Sequence, residues 1–275
     1  MGNVLIVAGK EFRDLLNSRL VLIILAFYVL VLLTSLYLDA GTEGIGTSVG
    51  FLLVGPGWDV CYFGSLVAIV LGFSSMSVET SGKALNTLLV KPLYRDTIIN
   101  GKLLGVLAFM SWIFWITIAI YTIGIYLFAS NLLSQYILLY IERLPFVFLL
   151  YLLCSLFFYS LSMLMCVIFK EESFALFMGL LSWIILQHML NNAIIAQNID
   201  YTLHLLFGGE YSSVVNVLSP ILLVRAILMG GDASGVVSDI GAWFFSVVPN
   251  IFMLALYCFV ATVFAYVAFL RRDVS

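Results

Sequence analysis

The chain has 275 residues, 63% of them hydrophobic and only 10% charged, with a mean hydropathy of +1.15. Soluble domains carry about 25% charged residues, so this composition excludes a soluble globular protein and predicts an all-α, polytopic integral membrane protein. The net charge of −3 comes with no basic tail or stripe, which excludes nucleic acid as a partner.

At the N-terminus, Val4, Leu5, Ala8, Phe12, Leu15 and Leu16 recur on one helical face, with Lys10, Glu11, Arg13, Asp14 and Asn17 on the other. That pattern predicts a helix over 3–18 lying in the cytoplasmic membrane interface. A cleaved secretory signal is the competing reading. The apolar run that follows, Leu20 to Leu38, is too long for one, and Tyr37-Leu38-Asp39 is not a small-residue cleavage site.

Apolar runs at 20–38, 60–77, 103–128, 146–169, 174–195 and 248–270 are each read as a membrane span, six in all. Between the first two lies an acidic, Gly-rich loop with Asp39, Glu43 and Asp59. A short loop with Asn131, Gln135, Glu142 and Arg143 is expected before Pro145 opens the fourth span. Lys170-Glu171-Glu172 makes a tight cytoplasmic reversal, and the sixth span is entered at Pro249 and closed by Arg271 and Arg272. Segment 196–247 is read as external. Within it Tyr211 to Met229 is apolar, but Ser219-Pro220 starts a helix and Gly230-Gly231 stops one. The helix between them has about ten residues and reaches roughly 15 Å, half a bilayer, so it is expected to be external or re-entrant.

With both termini inside, Lys10, Arg13, Arg19, Lys83, Lys91, Arg95, Lys102, Lys170, Arg271 and Arg272 fall on the cytoplasmic side, ten of the twelve basic residues. Only Arg143 and Arg225 fall outside, together with eight of the fifteen acids. This lopsidedness is the positive-inside tendency, and it predicts a multi-pass membrane protein with both termini cytoplasmic.

Segment 79–102 concentrates the charge between two spans. Ala84, Leu85, Leu88 and Leu89 recur at helical spacing while Lys83, Asn86, Thr87 and Lys91 face elsewhere, a short amphipathic helix stopped by Pro92. Asp96 then caps a second helix that runs through Lys102 into the next span. Glu79 and Lys83, at i and i+4, are placed to pair. A solvated loop whose charges serve topology alone is the competing reading.

Catalytic signatures are missing from the sequence. His188 and His204 are its two histidines, and no HExxH, GxSxG or phosphate-binding glycine loop occurs. Cys61, Cys154, Cys166 and Cys258 lack CxxC spacing, and Met163, Met165 and Cys166 have no histidine beside them, so no metal site is expected. Neither an enzyme activity nor a bound cofactor is expected of this chain.

Written out, the charged segment reads Glu79-x-x-Gly82-x-x-Leu85-x-x-Leu88-Leu89-x-x-Pro92-x-x-Arg95-x-x-Ile98-x-x-Gly101-Lys102. It closely resembles the cytoplasmic segment after the second span of ABC-2 type transporter permeases, and Lys10-Glu11-Phe12-Arg13-Asp14 with Asn17 and Arg19 resembles that family's interfacial elbow helix. Span layout is similar to the permeases associated with nitrous-oxide reductase maturation, except that Thr80 and Ser81 stand where a second acid often follows the motif glutamate. The resemblance implies a permease that pairs with a second permease copy and stands on two separate ATPase subunits, which hold ATP and magnesium. Glu79, Gly82, Lys83, Leu85, Leu88, Leu89, Pro92, Arg95, Gly101 and Lys102 would form its ATPase-coupling segment, with Leu85, Leu88 and Leu89 docking in a groove.

Gln187, His188, Asn191 and Asn192 cluster toward the outer end of the fifth span, either as part of a substrate pathway or as ordinary polar residues at headgroup level. Trp112, Trp115, Trp183 and Trp243 belong to a large aromatic share that fits interface belts and contact with membrane lipid. The expected cargo is lipid-like, peptidic or otherwise amphipathic. Export is the expected direction, because no extracellular capture domain is seen in the sequence. A non-transporting membrane scaffold that anchors soluble partners is the alternative.

Overall fold

A backbone surrounded by hydrocarbon has no water to bond to, and a helix satisfies its N–H and C=O groups within itself. The computed structural model describes residues 2–41, 49–81, 95–128, 130–169, 171–189, 198, 201–202, 204–205, 219–229 and 240–271, and among these the regular structure is helical throughout. Helix α1 is Gly2–Asn17, α2 Arg19–Gly41, α3 Val49–Ser81, α4 Arg95–Phe128, α5 Ser130–Ile168 and α6 Glu172–Ile184. A π-turn, Ile185–Met189, continues α6; then come α7, Pro220–Met229, and α8, Ile240–Arg271.

Among the described residues, four helices carry an apolar stretch long enough to cross a bilayer: Gly57–Met76, Thr97–Leu127, Ile137–Ile168 and Val247–Phe269. Helices α1 and α2 meet at a bend of 67° at Ser18, and α2 supplies a further apolar arm, Arg19–Ser35. Helix α6 with its π-turn is apolar but shorter, Glu172–Gln187. The protein is therefore an all-α polytopic membrane protein.

The bundle is built around α3, whose apolar stretch is 72% buried against 22% for that of α8. Hydrocarbon gives no hydrophobic drive between helices, so close packing and hydrogen bonds must hold them. A Cβ on Gly72 would lie 2.7 Å from the Tyr159 carbonyl oxygen, and one on Gly57 would meet Leu228 and Val147. Helices α3 and α5 therefore run side by side in the same direction. Helix α4 runs against them, since Lys102 meets Ser75 at one end and Tyr121 meets Asp59 at the other. Tyr121, Tyr151, Tyr159, Phe109, Phe114 and Phe158 fill the core, with Phe114 and Tyr151 rings 5.4 Å apart. Ser162 Oγ donates to Ile69 O at 2.7 Å, and Ser160 and Thr262 hydroxyls bridge α5 to α8 at 3.0 Å.

Three features differ from the sequence expectations. Asn131, Gln135, Glu142 and Arg143 lie in α5 rather than in a loop, and Pro145 sits inside that helix instead of opening it. A helix satisfies its own backbone whether its side chains are polar or not, and spanning helices tolerate the single bond a proline removes. Asp59, expected in an outer loop, belongs to α3, where its carboxylate accepts from Ser35 Oγ at 2.7 Å and from Tyr121 OH. Helix α6 turns π-helical at Ile185, inside the expected fifth span.

Helix α7, at 10 residues, is too short to cross. It packs Leu223, Val224, Ile227 and Leu228 inward, with Leu228 over Gly57. Its start is tied to the π-turn, because Ser219 Oγ donates to Leu186 O at 2.8 Å.

Candidate functional site

The charged segment 79–102 leaves the bundle from α3 and re-enters as α4, and the site lies where those two ends meet. Glu79 is in the last turn of α3, and Arg95 opens α4. Gly82, Lys83, Leu85, Leu88, Leu89 and Pro92 lie outside the described residues.

Lys102 is only 4% exposed although it is charged. Its ammonium group donates to Ser75 O at 2.7 Å, to Ser75 Oγ at 3.1 Å and to Glu11 Oε2 at 3.2 Å. Tyr159 OH donates in turn to Ser75 Oγ at 3.4 Å. Four helices, α1, α3, α4 and α5, are thus gathered at one cation. A buried charge is tolerable only when paired and hydrogen-bonded, and an ammonium with three donors is met here by three acceptors.

Local sequence explains how α1 reaches this point. Ala8, Glu11 and Leu15 are spaced i, i+3, i+7 and form the buried stripe of α1. Opposite them α4 presents Gly101-x-x-x-Gly105, the small-residue spacing that lets two helix backbones approach. A Cβ on Gly101 would stand 2.6 Å from Val7 Cβ, and one on Gly105 2.7 Å from Ala8 O and 2.9 Å from Glu11 Cβ. Phe12 packs edge-on against Phe109 with centroids 5.6 Å apart. Lys10, Arg13 and Asp14 are exposed.

A second polar joint lies midway along the apolar stretch of α3. Ser65 Oγ accepts from Trp183 Nε1 at 2.7 Å and from Gln187 Nε2 at 2.8 Å, and donates to Tyr62 O at 2.6 Å. Gln187 is fully buried. The Lys102 clasp and the Ser65 joint are both hydrogen-bonded contacts between helices. Both fix helices to one another.

A family model described as ABC-2 family transporter protein matches residues 5–274. The chain belongs to the ABC-2 transporter family. A comparison with curated proteins returns no match. As an ABC-2 permease the chain is a multi-pass membrane component of an ABC transporter, a family whose permeases associate with an ABC ATPase subunit.

In this ABC-2 permease, then, the structure brings Glu11, Gly101 and Lys102 together with Ser75, which the sequence had not singled out. Glu11 was expected on the polar outer face of the elbow helix and instead points into the bundle. Its place three residues after Ala8 and four before Leu15 was the available signal, as was the Gly101–Gly105 spacing. Of the pathway candidates, Gln187 is placed within the bundle. His188 lies in the π-turn by its backbone, and Asn191 and Asn192 lie outside the described residues. Among the described residues no group of three or more His, Cys, Asp or Glu side chains gathers to hold a metal.

Proposed function

We propose that this ABC-2 permease is the transmembrane half of an ATP-driven exporter. Two copies, or this chain and a paired permease, stand on two separate ATPase subunits, which bind ATP and magnesium and carry out the hydrolysis. The chain sits in a prokaryotic plasma membrane with six crossings and both termini cytoplasmic, in accord with its basic residues. Segment 79–102 is the coupling element: Leu85, Leu88 and Leu89 seat in an apolar groove of the ATPase, Glu79 and Lys83 brace the end of α3, and Pro92 and Arg95 turn the chain back toward the bundle.

One observation carries this reading. The segment returns to the membrane through Lys102 of α4, which bonds α1 and α3 directly and meets α5 through the Tyr159–Ser75 bond. A push on the segment is therefore delivered to four helices at once rather than to a floppy loop. The test is a Leu88→Asp, Leu89→Asp double variant, which puts two carboxylates where an apolar groove would have to desolvate them. ATPase co-purification should be lost while membrane-inserted yield is kept, and changes at Asn86 and Thr87 should do little. Normal co-purification at normal yield overturns the coupling role.

A further inference from the structure

Gln187 is 0% exposed, and its side-chain amide is only half used. Nε2 donates to Ser65 Oγ, whereas Oε1 is buried without a hydrogen-bond partner among the described residues. Turning the amide over only exchanges the group left over. Oε1 would then need the Ser65 proton, which the present arrangement gives to Tyr62 O, and the Nε2 donor would stand buried and unbonded where Oε1 stands now. Buried amide oxygens are nearly always bonded, because an unmade bond costs the full desolvation of the group.

The place of this oxygen in the fold points the same way. Ser65 lies midway along the apolar stretch of α3, and there the helix carrying Gln187 loses α geometry and becomes a π-turn. The buried start of α7 meets the same turn, where Ser219 Oγ bonds Leu186 O. π-turns concentrate at functional sites. Polar groups held by interrupted helices near the bilayer midplane are where membrane transport proteins receive their ligands. The surroundings are aromatic and apolar, with the Tyr62 and Trp183 rings 5.3 Å apart.

We propose that Gln187 Oε1 accepts a hydrogen bond from an O–H or N–H group that the chain does not itself supply. That group comes either from the head of an amphipathic cargo or from a resident water. The cargo alternative rests on the chain being a transport permease. A hydroxyl, amide or amine head satisfies the oxygen; a carboxylate or phosphate dianion, with no proton to give, does not.

The test uses the permease assembled with its ATPase in lipid nanodiscs, and two probes with the same tail, dodecanol and dodecyl methyl ether. Only the alcohol can donate. For a cargo site, the alcohol should alter ATPase rate at roughly two- to tenfold lower concentration than the ether, the range one neutral hydrogen bond gives. Gln187→Met should bring that ratio to one, while Trp183→Phe, which leaves Oε1 in place, should keep it. A high-resolution map of the probe-free complex settles the other source: an ordered water at Oε1 assigns the site to water. No alcohol preference together with no water, or a group of this chain found bonded to Oε1, overturns the proposal. ATPase co-purification is read in the same samples, so a failed permease assignment is distinguished from a failed site.

Discussion

Removing Lys102 should damage this protein more than removing the charge of its partner, and the geometry says by how much. In a Lys102→Met variant the Glu11 carboxylate stays buried, with its side chain 10% exposed, and loses the ammonium it is bonded to. Breaking a buried pair from one side costs about 3–5 kcal/mol, because the surviving charge is left uncompensated. A Glu11→Gln variant is milder. The ammonium keeps Ser75 O and Ser75 Oγ, and the new amide still offers a carbonyl oxygen, so the cost is that of a weakened hydrogen bond, about 1–3 kcal/mol. The double variant Glu11→Met, Lys102→Met removes both charges and fills the space with apolar atoms, a change that is often close to neutral. With Glu11→Met as the matching single variant, the loss in the double should fall short of the sum of the Glu11→Met and Lys102→Met losses by a large coupling term. Thermal unfolding of the purified permease in nanodiscs reads all four, and because the pair is buried the result should barely respond to salt. If Lys102→Met is no worse than Glu11→Gln, or if the double variant is simply additive, the clasp does not hold the helices as its geometry implies.

Three further expectations follow from the packing. Gly105→Leu should undock α1 from α4, since the side chain would run into the Ala8 carbonyl, whereas Gly9→Ala, with nothing within 4 Å, should be silent; disulfide trapping between α1 and α4 reports both. Ser65→Ala takes the acceptor from Trp183 Nε1 and Gln187 Nε2 together and should cost about 1–3 kcal/mol for each. Ser111→Ala, which loses only a bond to Leu107 O in its own helix, should cost less in the same unfolding assay. Single cysteines at Glu210 and Asp232, in a background without the native four, should both react with an impermeant reagent from outside; cytoplasmic labelling of either would contradict a non-crossing α7.

How far the fold could be read in advance depended on which forces set each feature. The helical membrane class follows from composition, because hydrocarbon leaves few other solutions. Boundaries were harder. Polar residues such as Asn131, Gln135 and Glu142 suggested a loop, yet a helix can extend beyond its apolar stretch at no backbone cost, and α5 does. Glu11 was assigned outward by polarity alone. Its true direction is set by Ala8 and Leu15 on the same stripe and by a lysine 91 residues away. Gln187 was read as lying toward the outer end of its span, since nothing local announces a hydrogen bond to a serine 122 residues earlier. Pairings of that range belong to tertiary structure, and periodicity cannot report them.

Both polar joints use serines of α3, Ser75 at the Lys102 clasp and Ser65 at the Gln187 joint. They are separated by about 15 Å of helix at 1.5 Å per residue, and an α-helix transmits axial displacement with little loss because its hydrogen bonds run along that axis. At Gly72 α3 packs backbone-close on α5, where an added Cβ would stand 2.7 Å from the Tyr159 carbonyl oxygen. Ser75 and Ser65 lie on either side of that contact. What meets Ser65 from the other side is a π-turn, the least regular piece of helix in the described bundle. Under the proposed coupling role, a push entering at the Ser75 clasp would travel along α3 to the irregular turn that meets Ser65.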